Sequence, residues 1–173
     1  QKRRSEYGEV RDVLSALAIK VLSCKEDLEA QEVGNAFYGM QKMSSDHIEV
    51  RDVLSALAMK VRRCKEDLTA QKVCNALYGL QKMSSDHVEV RDVLSALAIK
   101  VLSCKEDLKA QEVGNAFYGL QKMSSDHTEV RDVLSALAMK VRSCKEDLTA
   151  QNVCNALYGL QKMSSDHVEV RDV

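Results

Sequence analysis

The chain has no proline and no tryptophan, and aromatic residues make up 4% of its 173 positions. Without proline nothing forces a break inside a helix or stiffens a linker, and with so few rings the core must be aliphatic. No apolar run approaches the roughly 20 residues needed to cross a bilayer, so no membrane insertion is expected. Residues 1–10 lack the charged-then-apolar pattern of a signal peptide. Neither sign of charge dominates: 25 Lys and Arg stand against 26 Asp and Glu, a net charge of -1. No nucleophile stands at usable spacing from a base, and there is no glycine-rich phosphate loop and no clustered set of metal ligands. An enzyme is not expected from such a sequence, nor is a cofactor.

What the sequence has instead is repetition. RDVLSALA recurs at 11, 51, 91 and 131, and the stretch from Cys64 to Met83 has near-copies beginning at Cys24, Cys104 and Cys144. A period of forty residues marks a solenoid, whose units bury their apolar faces only against their neighbours. The expected repeats are 5–43, 44–83, 84–123 and 124–163, with a partial unit at 164–173. Gln1 and Lys2 align with Gln41 and Lys42, so the chain reads as a window on a longer array. Its unfinished ends suggest end-to-end self-association. A second period of eighty lies over the first: Gly34, Cys74, Gly114 and Cys154 alternate, as do Phe37, Leu77, Phe117 and Leu157, and Leu22, Arg62, Leu102 and Arg142.

Each unit predicts two helices. In helix A, Val50, Val53, Leu54, Leu57, Ala58 and Val61 follow the i, i+3, i+4, i+7 rule, with Asp46 as N-cap and Glu49 completing a capping box. Ala56 and Met59 form a weaker apolar strip, as if helix A touched two layers. Helix B begins after Thr69, an N-cap preceded by Leu68 as a hydrophobic staple onto Val73. Gly79 and its equivalents Gly39, Gly119 and Gly159 cost stability inside a helix and therefore predict close helix contact. The expected helices are 6–24, 30–43, 46–64, 70–83, 86–104, 110–123, 126–144 and 150–163. The fold class is an all-α solenoid of about four stacked antiparallel hairpins, at roughly 10 Å per layer.

Cys24, Cys64, Cys104 and Cys144 recur once per repeat, too far apart in sequence for a zinc knuckle, and fall on the apolar face. They are expected to be buried structural thiols, which suits an intracellular, reducing compartment. Cys74 and Cys154 share a column with glycine, a site with room only for a small side chain. His47, His87, His127 and His167 are expected to be exposed at helix starts.

The polar side of helix B carries the most suggestive pattern. Gln71, Asn75, Tyr78 and Lys82 stand at i, i+4, i+7 and i+11, in one stripe opposite the apolar face. The stripe returns as Gln31, Asn35, Tyr38 and Lys42, as Gln111, Asn115, Tyr118 and Lys122, and as Gln151, Asn155, Tyr158 and Lys162. Amides read base edges, rings stack on bases and lysines meet phosphates, which is the inventory of single-strand RNA binders. The same Asn and Tyr side chains could equally form a ladder between layers. An extended peptide gripped through repeated Asn side chains, or neighbouring subunits of a larger complex, is the alternative partner.

The run Leu68-Thr-Ala-Gln-Lys-Val-Cys-Asn-Ala-Leu-Tyr-Gly-Leu80, followed by Lys82 and Met83, resembles the octotricopeptide repeat, whose pattern there is roughly Phe-Ser-Pro-Gln-Glu-Leu-Ser-Asn-x-Leu-Trp-Ala-Leu-Ala-Lys-Leu. Gln71, Asn75, Leu77, Leu80 and Lys82 match it; Thr69 and Tyr78 stand for Ser and Trp, and Ala70 replaces Pro. The resemblance extends to every repeat. It implies paired-helix repeats that bind single-stranded RNA in a chloroplast or mitochondrion and serve its processing or translation.

Overall fold

The computed structural model describes residues 2–173, with side chains from residue 8 onward; Gln1, aligned above with Gln41, lies outside the described residues. Among the described residues the regular structure is entirely helical: α1 (Lys2–Ser23), α2 (Ala30–Gly39), α3 (Ile48–Arg63), α4 (Ala70–Tyr78), α5 (Val88–Ser103), α6 (Ala110–Tyr118), α7 (Thr128–Ser143), α8 (Ala150–Gly159) and α9 (Val168–Arg171). The odd-numbered helices, the A helices of the repeats, pack on one another in one row. The even-numbered B helices pack in a second row. The rows enclose a continuous strip of aliphatic core in which Leu54, Leu94, Leu134, Leu77 and Leu80 are fully buried. The chain is an α-solenoid with a forty-residue repeat.

Helix B is shorter than its apolar pattern predicts. It ends at residue 78 or 39 and not at 83 or 43, and beyond it the chain tightens: Leu80 N–H bonds the Leu77 carbonyl at 2.9 Å and Met83 N–H the Leu80 carbonyl at 2.8 Å. These three-residue turns keep Leu80 and Met83 facing the core, so their helix-like spacing survives the end of the helix. Helices α3, α5 and α7 also start two residues late, whereas α1 starts at Lys2, four residues before the expected 6. His47 occupies the N-cap position without a side-chain bond, while Asp46, expected there, accepts from the Ser44 hydroxyl at 2.8 Å. That bond holds the Asp46 carboxyl below the usual range, with nearby Lys122 and His87 adding to it. Thr69 does cap helix B, accepting from Lys72 N–H at 3.3 Å. Met59, placed with Ala56 in a second contact strip, is half-exposed; only Ala56 is buried.

The recurrent glycine is explained by a backbone contact. A Cβ built on Gly79 would lie 2.0 Å from the Phe37 carbonyl oxygen, one on Gly119 2.0 Å from that of Leu77, and one on Gly159 1.9 Å from that of Phe117. Any side chain there would have to enter the backbone of the preceding B helix. At Gly39, in the first repeat, nothing lies within 4 Å.

Polar groups at the layer ends are satisfied across repeats. Lys60 donates to the carbonyls of Cys24 and Glu26 at 2.6 and 2.5 Å, and Lys100 to those of Cys64 and Glu66 at 2.6 and 2.8 Å; Lys140 repeats the pair at Cys104 and Glu106. Each of these lysines, Lys60 and Lys100 buried and Lys140 half-buried, thus caps the end of the preceding A helix, not its own. Glu66, Glu106 and Glu146 in turn accept from the free N–H groups of Ala30, Ala70 and Ala110, each at 2.8 Å, at the start of the preceding B helix. Ser45, Ser85 and Ser125, fully or almost fully buried, accept from the N–H groups of Ser84, Ser124 and Ser164 at 2.8–2.9 Å.

The cysteines follow their place in the stack. Cys64, Cys74 and Cys104 are buried, Cys144 is half-buried, and Cys24 and Cys154 are exposed because they lie in the end repeats. This corrects the expectation of uniform burial. The alternating column has a volume logic: the glycine repeats carry Phe37 and Phe117, and the second repeat pairs Cys74 with Leu77, with all three large residues fully or almost fully buried. A Cβ on Gly34 would meet Lys72 Cδ at 2.7 Å and one on Gly114 Asn152 Cα at 3.1 Å, so a small residue suits this column, where the next layer comes close. In the terminal segment Val170 packs partly against the core while Val168 stays half-exposed.

Two outcomes follow. Gly119→Ala should lose about 3 kcal/mol or more in urea unfolding through overpacking, whereas Gly39→Ala, open on all sides, should gain up to about 1 kcal/mol; equal effects would refute the backbone contact. Cys74, whose pKa burial pushes up to about 12 with the Glu112 charge adding, should react slowly with thiol reagents while Cys24 and Cys154 react fast. Ionisation favours the unfolded chain, where the thiol titrates near about 8.5. The Cys74 contribution is therefore complete below that pH and is lost as pH rises towards 12. The stability difference between wild type and Cys74→Ala, followed across pH 7 to 11, measures it.

Candidate binding surface of the B helices

The four stripes align on one surface because the B helices stack in register, held by the glycine contact. Gln31, Gln71, Gln111 and Gln151 are exposed at its N-terminal edge, and Lys42, Lys82, Lys122 and Lys162 are exposed at its C-terminal edge. Between them Asn75, Asn115 and Asn155 are half-buried and Asn35 is exposed. In the end repeats the amides bond along the helix, Gln31 Nε2 to Asn35 Oδ1 at 3.2 Å and Gln151 Nε2 to Asn155 Oδ1 at 2.9 Å. The glutamines, asparagines and tyrosines stand on the B helices, but the four lysines lie three or four residues past the helix ends, in the turns that lead to the next A helix, and not on the helix where their spacing predicts them.

The tyrosines do something more particular. Tyr38, Tyr78, Tyr118 and Tyr158 form one continuous stack, with ring centroids 6.1, 5.9 and 5.7 Å apart and planes inclined by 22–25°. Offset aromatic pairs at this separation are attractive, so the rings bind layer to layer. A base inserted between two rings needs about twice the usual stacking gap, which this spacing does not leave. What Tyr78 and Tyr118 present outward is edge and hydroxyl; Tyr38 and Tyr158 each keep one face without a ring neighbour in the stack.

The electrostatics differ between the two edges. At the glutamine edge, a groove of about 660 Å³ is lined by Thr69, Gln71, Glu106, Asp107, Lys109, Gln111 and Glu112, and a second of about 480 Å³ by Gln111, Asn115, Glu146, Asp147, Gln151 and Asn155. Lys105 answers Asp67 at 2.9 Å and Lys145 answers Asp107 at 3.0 Å, which holds both carboxyls below their usual range, chiefly by hydrogen bonding to the lysines. At the lysine edge the neighbours are Asp46, Asp86 and Asp126, largely exposed, facing His87, His127 and His167 at 3.7–3.9 Å. These three histidines are half-buried, contrary to expectation, each with an Asp of the preceding layer beside it; His47 is exposed.

The inter-repeat lysines, serines and glutamates were not recognised from sequence as links between layers. Their signal was present: Lys60, Ser45 and Glu66 stand in columns that never vary from repeat to repeat, unlike the alternating ones. Among the described residues no three His, Cys, Asp or Glu side chains converge as metal ligands, and no helix is long and apolar enough to cross a membrane. Comparison with protein-family models, curated proteins and solved structures returns no match.

The ring stack generates its own test. Tyr118→Ala should cost about 2 kcal/mol of stability and Tyr118→Phe less than about 1, since the ring and not the hydroxyl makes the stack. Equal losses for both variants in thermal unfolding would assign the energy to the hydroxyl instead.

Proposed function

We propose that the protein is a non-catalytic scaffold whose B-helix face holds single-stranded RNA, in the service of organellar RNA processing or translation. The observation that carries this reading is the column of four exposed lysines, one per layer at the turns that end the B helices, with the tyrosine column and then the asparagine column following along those helices. A lysine column suits a sugar-phosphate backbone laid across the helix ends, and amides beyond the tyrosine column suit base edges. The octotricopeptide resemblance supports the same ligand. In this arrangement the tyrosines contribute ring edges and hydroxyls, and base stacking is confined to Tyr38 and Tyr158 at the two ends of the stack.

A second reading, an extended peptide or neighbouring protein held on the same face, draws on the closed tyrosine stack and on the acidic walls of the glutamine-edge grooves, both poor surroundings for a polyanion. Salt separates the two. For RNA, replacing Lys42, Lys82, Lys122 and Lys162 by glutamine should weaken binding of an unstructured oligonucleotide almost irrespective of its sequence. It should also reduce the log-log salt slope by up to about 0.7 for each phosphate no longer neutralised. Tyr78→Phe should leave the slope unchanged. An absence of salt-sensitive RNA binding by the unaltered protein would sink the RNA reading and leave the protein scaffold.

A further inference from the structure

The outer face of the A helices carries a second regular surface. Asp52, Ser55, Met59 and Arg62 stand at i, i+3, i+7 and i+10 on α3, with equivalents on the other A helices. Along the array Ile19, Met59, Ile99 and Met139 are 51–66% exposed, an unbroken aliphatic column. Beside it the junctions between layers alternate. Between α3 and α5, Arg62 Nη2 sits 3.1 Å from Asp92 Oδ1 and 3.1 Å from the Asp92 carbonyl oxygen; between α7 and α9, Arg142 Nη2 donates to the Asp172 carbonyl at 2.7 Å. At the intervening junctions leucine stands in the arginine's place. Leu22 and Leu102 are 55% and 54% exposed, and the facing Asp52 and Asp132 are exposed and in no ion pair among the described residues. The α5/α7 junction opens as a groove of about 390 Å³ with Ile99 and Leu102 on one side and Asp132 and Ser135 on the other.

The molecule therefore displays what such a junction accepts. At the α3/α5 junction its own guanidinium meets both the carboxylate and the carbonyl of the aspartate, and at α7/α9 the carbonyl; at the others an aliphatic floor leads to a carboxylate that is in no ion pair among the described residues. The stem of an arginine would cover the leucine while its head meets the carboxylate through charge-assisted hydrogen bonds.

We propose that the α1/α3 and α5/α7 junctions form a docking surface for an extended segment of a partner protein that carries two arginines about six residues apart, each beside an apolar side chain. The spacing follows from geometry. Two layers of roughly 10 Å separate equivalent junctions, and an extended chain rises about 3.3 Å per residue, so about six residues span them. Six is even, which puts both arginines on the same side of the strand. This surface lies on the other row of helices and is independent of the RNA reading.

The test uses a fluorescein-labelled 13-residue peptide of Ser and Thr with Leu-Arg pairs whose arginines stand six apart, titrated with the whole chain at low salt and followed by anisotropy. Saturable binding is expected. Asp52→Asn with Asp132→Asn should weaken it at least tenfold, and Leu22→Arg with Leu102→Arg, which fills both junctions with the protein's own guanidinium, should abolish it. A peptide with its arginines three apart should bind several-fold more weakly. All four positions are exposed, and circular dichroism will report whether each variant remains folded. No saturable binding, binding changed less than twofold by both double variants, or binding abolished on replacing Lys42, Lys82, Lys122 and Lys162 instead would overturn the proposal.

Discussion

A carbonyl oxygen resting on a glycine sets the dimensions of this array. Phe37 over Gly79, Leu77 over Gly119 and Phe117 over Gly159 bring consecutive B helices together at the level of the backbone, closer than any side chain would permit. The tyrosine, one residue before each glycine, is thereby delivered to within 6.1 Å of its predecessor. The asparagine, three residues further back on the same side, is carried into the same register. A spacer as small as a methyl group would spread the B row while leaving the A row unchanged. The ring stack and the line of the stripe both descend from that absent Cβ.

Around this contact the charged residues serve mostly as links between layers. Buried Lys60 and Lys100 close helix ends that belong to the previous repeat, glutamates of the charged connector satisfy the start of the preceding B helix, and Arg11, Arg51, Arg91 and Arg131 each face a glutamate one layer on, at 2.6–3.8 Å. The exposed ion pairs among these contribute little singly, since solvent screens them. The buried lysines differ, because removing one leaves two carbonyls without a donor. Nearly all of these bonds join a repeat to its neighbour and few lie within it, so a single hairpin would forgo most of them, as expected for a solenoid held together by its interfaces.

The architecture was legible because the apolar spacing in RDVLSALA obeys one helical period, and because an unvarying glycine at 39, 79, 119 and 159 has few explanations other than close approach. Thr69 was legible as a cap for the same local reason. Asp46 was not, because Ser44 two residues earlier competes for its carboxylate and shifts the helix start. Leu80 and Met83 misled about the length of helix B, since a run of three-residue turns keeps the apolar side inward much as a helix does. The tyrosines were visible as a stripe, but whether rings at i+7 meet a ligand or each other depends on layer spacing, which no single repeat encodes. Cys24 and Cys154 differ from their buried equivalents only through position in the stack, a property that lies outside any local pattern.

The alternation of glycine with cysteine, phenylalanine with leucine, and leucine with arginine has a consequence for how such an array grows. Every junction described joins unlike repeats: Gly34 faces Lys72, Cys74 faces Glu112, and Gly114 faces Asn152. A duplication or deletion of eighty residues reproduces junctions that already exist. One of forty sets like upon like, creating an interface of a kind not present in these layers, with two arginine-bearing or two leucine-bearing faces in succession. The unit whose interfaces repeat without change is therefore twice the visible one.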